Sequence, residues 1–165
     1  MFIPAGKDGE WDRHGLIHGQ GYENAGDRTY IYYGTWDLAS EKEAGGAVGV
    51  AMLPRDRFGS ISTRVAGYGQ FTTIPIAAAH DLRRLRLNVD GLGARAVPRV
   101  EAIDASGKPL PGYSGADAAL VRESGLAVKV NWPRGGAVAR DYRLRVRFEG
   151  EDVRNIRFFA AYLGD

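Results

Sequence analysis

The chain has 165 residues, no cysteine, 22 lysines and arginines, 20 acidic residues and a formal net charge of +2. This length fits one domain with a short extra subdomain, and the absence of cysteine excludes a disulfide scaffold. Acidic and basic residues are interleaved without a long basic block, so we predict no nucleic-acid partner. No apolar run is long enough for a membrane span or a signal peptide, which predicts no membrane partner. The sequence assigns no compartment, and a secreted or periplasmic parent protein is compatible with it.

The first predicted element is a strand–turn–strand unit. Its strands cover 16–22 and 28–36, and a turn at 24–27 joins them. An isolated hairpin is marginally stable in water, so we expect this unit to pack on another part of the protein or on a partner. The segment 37–46 is polar, small and flexible. We therefore predict a hairpin segment over 1–40 and a separate domain over 46–165.

In the second domain, apolar and polar residues alternate with the period of a strand that has one buried face. The pattern is clearest at 84–89, 128–132 and 142–148, and 156–163 is a more continuously apolar strand. Only 116–122 has a helical pattern. Short strands separated by glycine-bearing turns predict an all-β fold, an antiparallel two-sheet sandwich. The expected core residues are Val50, Leu85, Leu87, Val100, Val130, Trp132, Leu144, Val146, Phe148 and Phe158.

Candidate catalytic and metal-binding groups are few. Asp8, Glu10 and Asp12 lie close together, but they precede any strong strand, and glycoside cleavage needs two carboxylates that flank one bond. His14 and His18 are four residues apart; the glycines around them argue against a helical metal site, although a strand also places such residues on one face. No nucleophile elbow, P-loop or dinucleotide fingerprint occurs. We predict no catalytic residue, no metal and no cofactor.

Two groups of side chains suggest binding. The first is a row of arginines that alternate with apolar residues, at 84, 86, 143, 145 and 147. Such a row suits an anionic ligand, but we favour a solvated face paired with acidic neighbours. The second is a set of aromatic rings, which are the usual platforms for sugars. Tyr68 and Phe71 flank a glycine-rich turn and Tyr113 follows a proline-rich loop, so we predict these three as exposed carbohydrate contacts.

Five segments resemble, in order, the C-terminal β-sandwich of levanase- and invertase-type glycoside hydrolases. The most specific is the turn Ala-Ile-Asp-Ala-Ser-Gly-Lys-Pro-Leu-Pro-Gly-Tyr at 102–113. The others are the apolar strand and Arg-Asp-Arg-Phe turn at 47–60, the paired threonines before proline at 69–76, Leu-Arg-Leu-Asn-Val-Asp at 85–90, and the strand ending in tryptophan at 128–132. The resemblance covers about 46–163. It implies a jelly-roll, concanavalin A-like sandwich that is not the catalytic part of its parent enzyme.

The front of the chain resembles the last blade of that family's five-bladed propeller. Gly-Glu-Trp-Asp at 9–12 is followed by a strand and by Tyr-Ile-Tyr-Tyr-Gly at 30–34. The family's catalytic carboxylates come from earlier blades, so none is carried over. The resemblance implies that Asp12 and His18 line the inner side of the blade as sugar contacts.

The function expected from the resemblance is that of a non-catalytic accessory sandwich. It would pack on a propeller domain, which is missing from this chain or lies on another chain, and stabilise it. One alternative is a carbohydrate-binding module with a glycan as its partner. The other is a fragment of a glycosidase that is active only with its missing propeller.

Overall fold

The computed structural model describes residues 3–13, 15–36, 46–138 and 140–164, without the side chains of His18 and Gln20. Within these ranges the protein is all-β, with antiparallel sheets that do not close into a barrel. The chain divides into two compact units, Met1–Arg57 and Phe58–Asp165. The helical turns of the described ranges are too short to cross a membrane.

The N-terminal unit is a three-stranded antiparallel sheet in the order β1-β2-β3. Its strands are β1 (Leu16–Ala25), β2 (Arg28–Trp36) and β3 (Gly46–Pro54). A two-residue loop joins β1 to β2, with Gly26 in the left-handed region at φ +57°, as the turn residues predict. We predicted that β3 opens the second domain, but it pairs with the whole of β2, and the units divide after Arg57. The hairpin thus has a third strand as a pairing partner, and a three-stranded sheet is more stable than an isolated hairpin.

A polar cluster fixes the end of β3 to the β1–β2 loop. Thr29 is buried, and its hydroxyl donates a hydrogen bond to Asn24 Oδ1 and accepts one from the backbone N–H of Asp56 at 2.9 Å. Asn24 Nδ2 in turn donates to Asp56 Oδ1 at 2.7 Å. The buried hydroxyl of Thr29 and the partly buried groups of Asn24 and Asp56 thus have partners, which offsets the cost of taking them out of water.

The C-terminal unit contains two antiparallel sheets, in the orders β10-β5-β8 and β4-β9-β6-β7. The predicted strands at 84–89, 142–148 and 156–163 correspond to Arg86–Asp90, Arg143–Glu149 and Arg157–Tyr162, whereas the strand predicted at 128–132 lies at Gly125–Lys129 and ends before Trp132. The strands of the unit are β4 (Tyr68–Thr72), β5 (Arg86–Asp90), β6 (Val97–Ile103), β7 (Ala119–Leu120), β8 (Gly125–Lys129), β9 (Arg143–Glu149) and β10 (Arg157–Tyr162). Three 3₁₀ turns, Leu82–Arg84, Gly115–Asp117 and Val153–Asn155, lie between them.

The predicted helix at 116–122 is wrong. The chain makes one 3₁₀ turn at Gly115–Asp117 and then adds the short strand β7 to the edge of β6. The N–H of Val121 donates to the carbonyl of Pro98 at 3.0 Å, which continues this pairing. Sheet pairing and burial of Val121 outweigh the modest helix propensity of an alanine-rich segment.

One hydrophobic cluster receives side chains from both sheets of the C-terminal unit, among them Leu87 and Val89 of β5 and Val146 and Phe148 of β9. The core residues predicted for this unit are buried, except that Trp132 is partly buried and packs against the cluster. The prediction of Val50 as a core residue is wrong, because Val50 lies on β3 and is 45% exposed. Its segment is apolar on both faces of the strand, so the alternation of residues could not identify a buried side.

The turn after β6 has the form that its residues predict. Asp104 Oδ1 accepts hydrogen bonds from the N–H groups of Ser106 and Lys108, each at 2.9 Å, and Gly107 adopts φ +87°. The Ser106 hydroxyl also donates to Oδ1 at 2.6 Å, and this bond together with the backbone bonds lowers the pKa of Asp104. The N–H of Ala102 then donates to the carbonyl of Tyr113 at 3.0 Å, which returns the chain to β6.

Candidate functional site

The five predicted carbohydrate contacts fall in different units. Asp12 and His18 belong to the N-terminal unit, whereas Tyr68, Phe71 and Tyr113 belong to the C-terminal unit. The side chain of His18 lies outside the described part of the structure, so its predicted role stays a prediction. Each unit is therefore considered by itself.

Asp12 lies beside two aromatic rings. The hydroxyl of Tyr33 donates to Asp12 Oδ2 at 3.3 Å, and the exposed ring of Trp11 stacks on Tyr33 with centroids 6.0 Å apart and planes 18° apart. Burial, with the charge of Asp12, raises the pKa of Tyr33. A Cβ at Gly49 would overlap both rings, so the glycine lets them lie close to β3. An aromatic ring can stack on the apolar face of a sugar, and a neighbouring carboxylate can accept hydrogen bonds from the sugar hydroxyls, so this arrangement suits a carbohydrate ligand.

Tyr68 and Phe71 do not form one platform. Alternation along β4 places Tyr68 on the outer face of the sheet, where it is exposed and its hydroxyl donates to Gln70 Oε1 at 3.1 Å. Phe71 lies on the other face. Its ring centroid is 4.9 Å from that of Phe158 and 6.1 Å from that of Phe148. The prediction that Phe71 is an exposed contact is therefore wrong, because its ring packs on the core.

The prediction that Tyr113 is exposed is also wrong. Tyr113 is only 2% exposed, its hydroxyl donates to the carbonyl of Gly136, and its ring meets Trp132 edge to face with centroids 4.9 Å apart. Burial raises the pKa of this phenol. The backbone bonds that follow the 104–108 turn bring the ring back against the core, so a loop position in the sequence does not mean an exposed side chain.

Two of the three arginines of β9, Arg145 and Arg147, pair with one carboxylate, whereas the buried Nε of Arg143 has no hydrogen-bond partner among the described residues. Glu101 on β6 is 3% exposed, and its Oε2 lies 2.9 Å from Arg145 Nε and 3.4 Å from an Nη of Arg147. Its Oε1 accepts a hydrogen bond from the N–H of Gly115 at 3.0 Å. Burial acts to raise the pKa of Glu101, but the Gly115 hydrogen bond and the two arginines outweigh it, so the pKa lies below its ordinary value. Arg145 and Arg147 thus share the single negative charge of Glu101.

The N-terminal sheet exposes a continuous apolar face, which we call the apolar sheet face. Strand register places Tyr30 opposite Met52 and Tyr32 opposite Val50, on the same side as Trp36, Val48 and Ile17. Val48 is 79% exposed and Met52 63%, and Tyr32 and Trp36 are about half exposed. The alternation of residues does not reveal this face, because β3 is apolar on both sides and its sequence does not show that it pairs with β2. Exposed patches of this kind mark interaction surfaces.

Metal binding has no support among the described residues, where no group of three or more histidine, cysteine, aspartate or glutamate side chains could hold a metal ion. His14 lies outside the described residues. Comparison with protein-family models, with curated proteins and with solved structures gave no match. The comparisons thus assign the chain to no family, and the resemblance to the sandwich of levanase- and invertase-type enzymes stays a prediction from its residues.

Proposed function

We propose that this chain is a non-catalytic accessory domain that docks on and stabilises a β-propeller of a glycoside-hydrolase-like protein. The observation that supports it is the apolar sheet face, where Val48, Val50 and Met52 of β3 lie beside Tyr32 and Trp36 of β2. Exposed apolar area of this extent on a flat sheet is costly in water and is typical of a surface that another domain covers.

The occupant that fits this face is the sheet face of a neighbouring propeller blade. Sheets pack about 10 Å apart through interdigitating side chains, and propeller blades stack on one another in this way around the central channel. The opposite face of β3 presents Ala47, Gly49, Ala51 and Leu53, so most of the large apolar groups of this strand lie on the apolar sheet face. The lectin-like, jelly-roll form of the C-terminal unit is part of the same proposal, and its two antiparallel sheets with one shared core support it.

The energetics favour docking within one polypeptide or with a high local concentration. Covering about six half-exposed apolar side chains contributes roughly 1 kcal/mol each, or about 6 kcal/mol in all. Association of two separate chains costs on the order of 4–15 kcal/mol before any contact is counted. A tether removes most of that cost. The contacts of this face are therefore sufficient to hold a covalently linked propeller, but they would bind a separate propeller only weakly.

The test uses the full chain and an isolated five-bladed propeller from a levanase-type enzyme without its own sandwich. Calorimetric titration is made with wild type, with Met52→Lys and Val48→Lys, and with Ile74→Lys as the matched control. Ile74 is 81% exposed and lies in the other unit. We expect weak binding by wild type and by the control, and none by the two β3 variants. Equal binding by all four proteins, or no binding by a well-folded wild type even when it is fused to the propeller by a flexible linker, would overturn the proposal.

A second candidate function, carbohydrate binding, is favoured by the contact of Trp11, Tyr33 and Asp12. A sugar ring would stack on exposed Trp11 while its hydroxyls donate to the Asp12 carboxylate. A glycan array with fructans included, followed by monosaccharide competition, tests it. Binding that is lost in Trp11→Ala and Asp12→Asn but kept in Tyr68→Ala supports this site, and binding that depends on Tyr68 alone rules it out. The third candidate, a glycosidase fragment, predicts hydrolysis only when the propeller is added.

A further inference from the structure

A second surface feature lies in the C-terminal unit and is independent of the apolar sheet face. It is a cleft of about 220 Å³ lined by Arg83, Arg84, Arg86, Lys129 and Gly164, which we call the basic cleft. Arg83 and Arg84 come from the 3₁₀ turn before β5, Arg86 is the first residue of β5, and Lys129 is the last residue of β8. Four of the five lining residues are cationic and none is acidic.

Two of these cations face each other directly across a strand pair. Arg86 and Lys129 are register partners in the antiparallel pairing of β5 with β8, and both side chains are exposed. On its other side, Arg86 is the register partner of Tyr162 on β10, which is not acidic. Side chains directly opposite in such a pair have Cβ atoms about 5 Å apart, and like charges there are destabilising. Among the described residues neither Arg86 nor Lys129 has an ion pair.

Several other arginines of this unit have a carboxylate partner. Arg99 Nε lies 2.7 Å from Glu149, Arg145 Nε lies 2.9 Å from Glu101, and Arg95 pairs with Glu151. Within the basic cleft, Arg83 is held from one side by Asp81, at 2.9 Å from Nε and 2.8 Å from Nη2. Its hydrogen bonds to Asp81 lower the pKa of that carboxyl to about 2. Asp81 thus fixes the orientation of Arg83, while the Arg86–Lys129 pair has no such partner.

We propose that the basic cleft binds a tetrahedral oxyanion, a phosphate or sulfate group carried by a small ligand. Cationic groups converge on the cleft from a turn and from two strands, and a phosphate or sulfate group offers at least three oxygens to them, whereas a carboxylate offers two. Guanidinium groups bind such oxygens through paired N–H donors, and an ammonium group adds a point charge. The volume lies below the range of pockets for drug-sized ligands, so the site suits one charged group and little more. The cations are confined to one cleft, which favours a small ligand over a nucleic-acid strand.

The variants that test this proposal are Arg86→Gln and Lys129→Gln. Arg154→Gln is the matched control, because Arg154 is an exposed arginine on the 3₁₀ turn Val153–Asn155, outside the cleft. Inorganic phosphate and sulfate are titrated into each full-length protein, with sodium chloride holding the ionic strength constant. Backbone amide chemical shifts and the melting temperature are measured.

We expect saturable shifts that centre on residues 83–86, 129 and 162–164 in wild type and in Arg154→Gln. Loss of one charge-assisted contact weakens phosphate binding about tenfold or more in each cleft variant. Without phosphate, both cleft variants melt at the wild-type temperature or above it, because a like-charge repulsion is gone; a merely structural role would lower the melting temperature instead. Binding that strengthens between pH 6 and 8 for phosphate but not for sulfate identifies the phosphate dianion as the preferred form.

The proposal is overturned if neither anion gives saturable shifts in wild type. It is also overturned if the cleft variants respond to phosphate as strongly as Arg154→Gln does, since phosphate and sulfate stabilise most proteins by a general salt effect. Binding to the propeller plays no part in these measurements, so the result is separate from that of the docking test.

Discussion

Replacing Glu101 with glutamine is expected to lower the free energy of unfolding of the C-terminal unit by about 2–4 kcal/mol at neutral pH. The side chain is 3% exposed and lies between two cations and a backbone N–H. A buried charge-assisted hydrogen bond such as that with Arg145 contributes about 1.5–3 kcal/mol. The longer and more exposed pair with Arg147 adds less than about 1 kcal/mol. Glutamine keeps the shape of the side chain and an oxygen that accepts the hydrogen bond from the N–H of Gly115. The loss of unfolding free energy therefore measures the contribution of the negative charge.

Urea unfolding followed by tryptophan fluorescence and circular dichroism measures this loss, and Glu149→Gln is the matched control. Glu149 lies on the same face of the same sheet and pairs with Arg99, but both side chains are about a third exposed. The control is therefore expected to lose less than about 1 kcal/mol. Equal losses in the two variants would show that burial does not strengthen the Glu101 pair, and would refute the reasoning.

The dependence on pH gives a second check. The folded state lowers the pKa of Glu101 below its unfolded value of about 4.3. The stability that its charge contributes is thus complete above the unfolded pKa and is lost as the pH falls through the folded pKa. The difference between wild type and Glu101→Gln should be constant from about pH 7 to pH 5 and shrink below about pH 4. A difference that stays constant into strong acid would contradict the assignment.

Other consequences of the fold are testable in the same way. Leu144→Asp should abolish cooperative unfolding in a circular dichroism melt, because an unpaired charge on the inner face of β9 costs several kcal/mol; a soluble variant with a normal melt would contradict that placement. Gly91→Ala should destabilise more than Gly107→Ala in urea: both glycines have positive φ, but only at Gly91 would a Cβ overlap the carbonyl of Asn155. The left-handed backbone alone costs about 1–2 kcal/mol, so equal midpoints for the two variants would show that no overlap exists.

Strands β5 and β9 of the C-terminal unit were predictable because apolar and polar residues alternate along them. Leu144, Val146 and Phe148 alternate with Arg143, Arg145 and Arg147, and this local pattern alone determines which side faces the core. The hairpin of β1 and β2 was predictable for a similar reason, since glycine and aspartate supply its turn. These features are determined by residues that lie close together in the chain, so the local sequence is enough to predict them.

Features that depend on distant pairing could not be predicted. β3 is apolar on both faces, so neither its sheet nor the exposure of Val50 follows from its residues. Tyr113 is buried because backbone bonds to Ala102 return the loop to the core. The basic cleft combines Arg86 with Lys129, which only strand register places side by side. The arginines of the sequence pattern therefore include Arg145 and Arg147, which share the carboxylate of Glu101, and Arg86, which lies opposite Lys129.

The order of the strands has a consequence for how the protein is made. β9 lies between β4 and β6, and β10 forms one edge of the sheet that has β5 at its centre. On the ribosome, the strands β4 to β8 therefore have unpaired edges until β9 and β10 have emerged, whereas β1, β2 and β3 pair with their neighbours in sequence and can form a sheet early. We expect the nascent C-terminal unit to need protection from aggregation until β10 has emerged, and to be the slower of the two units to refold.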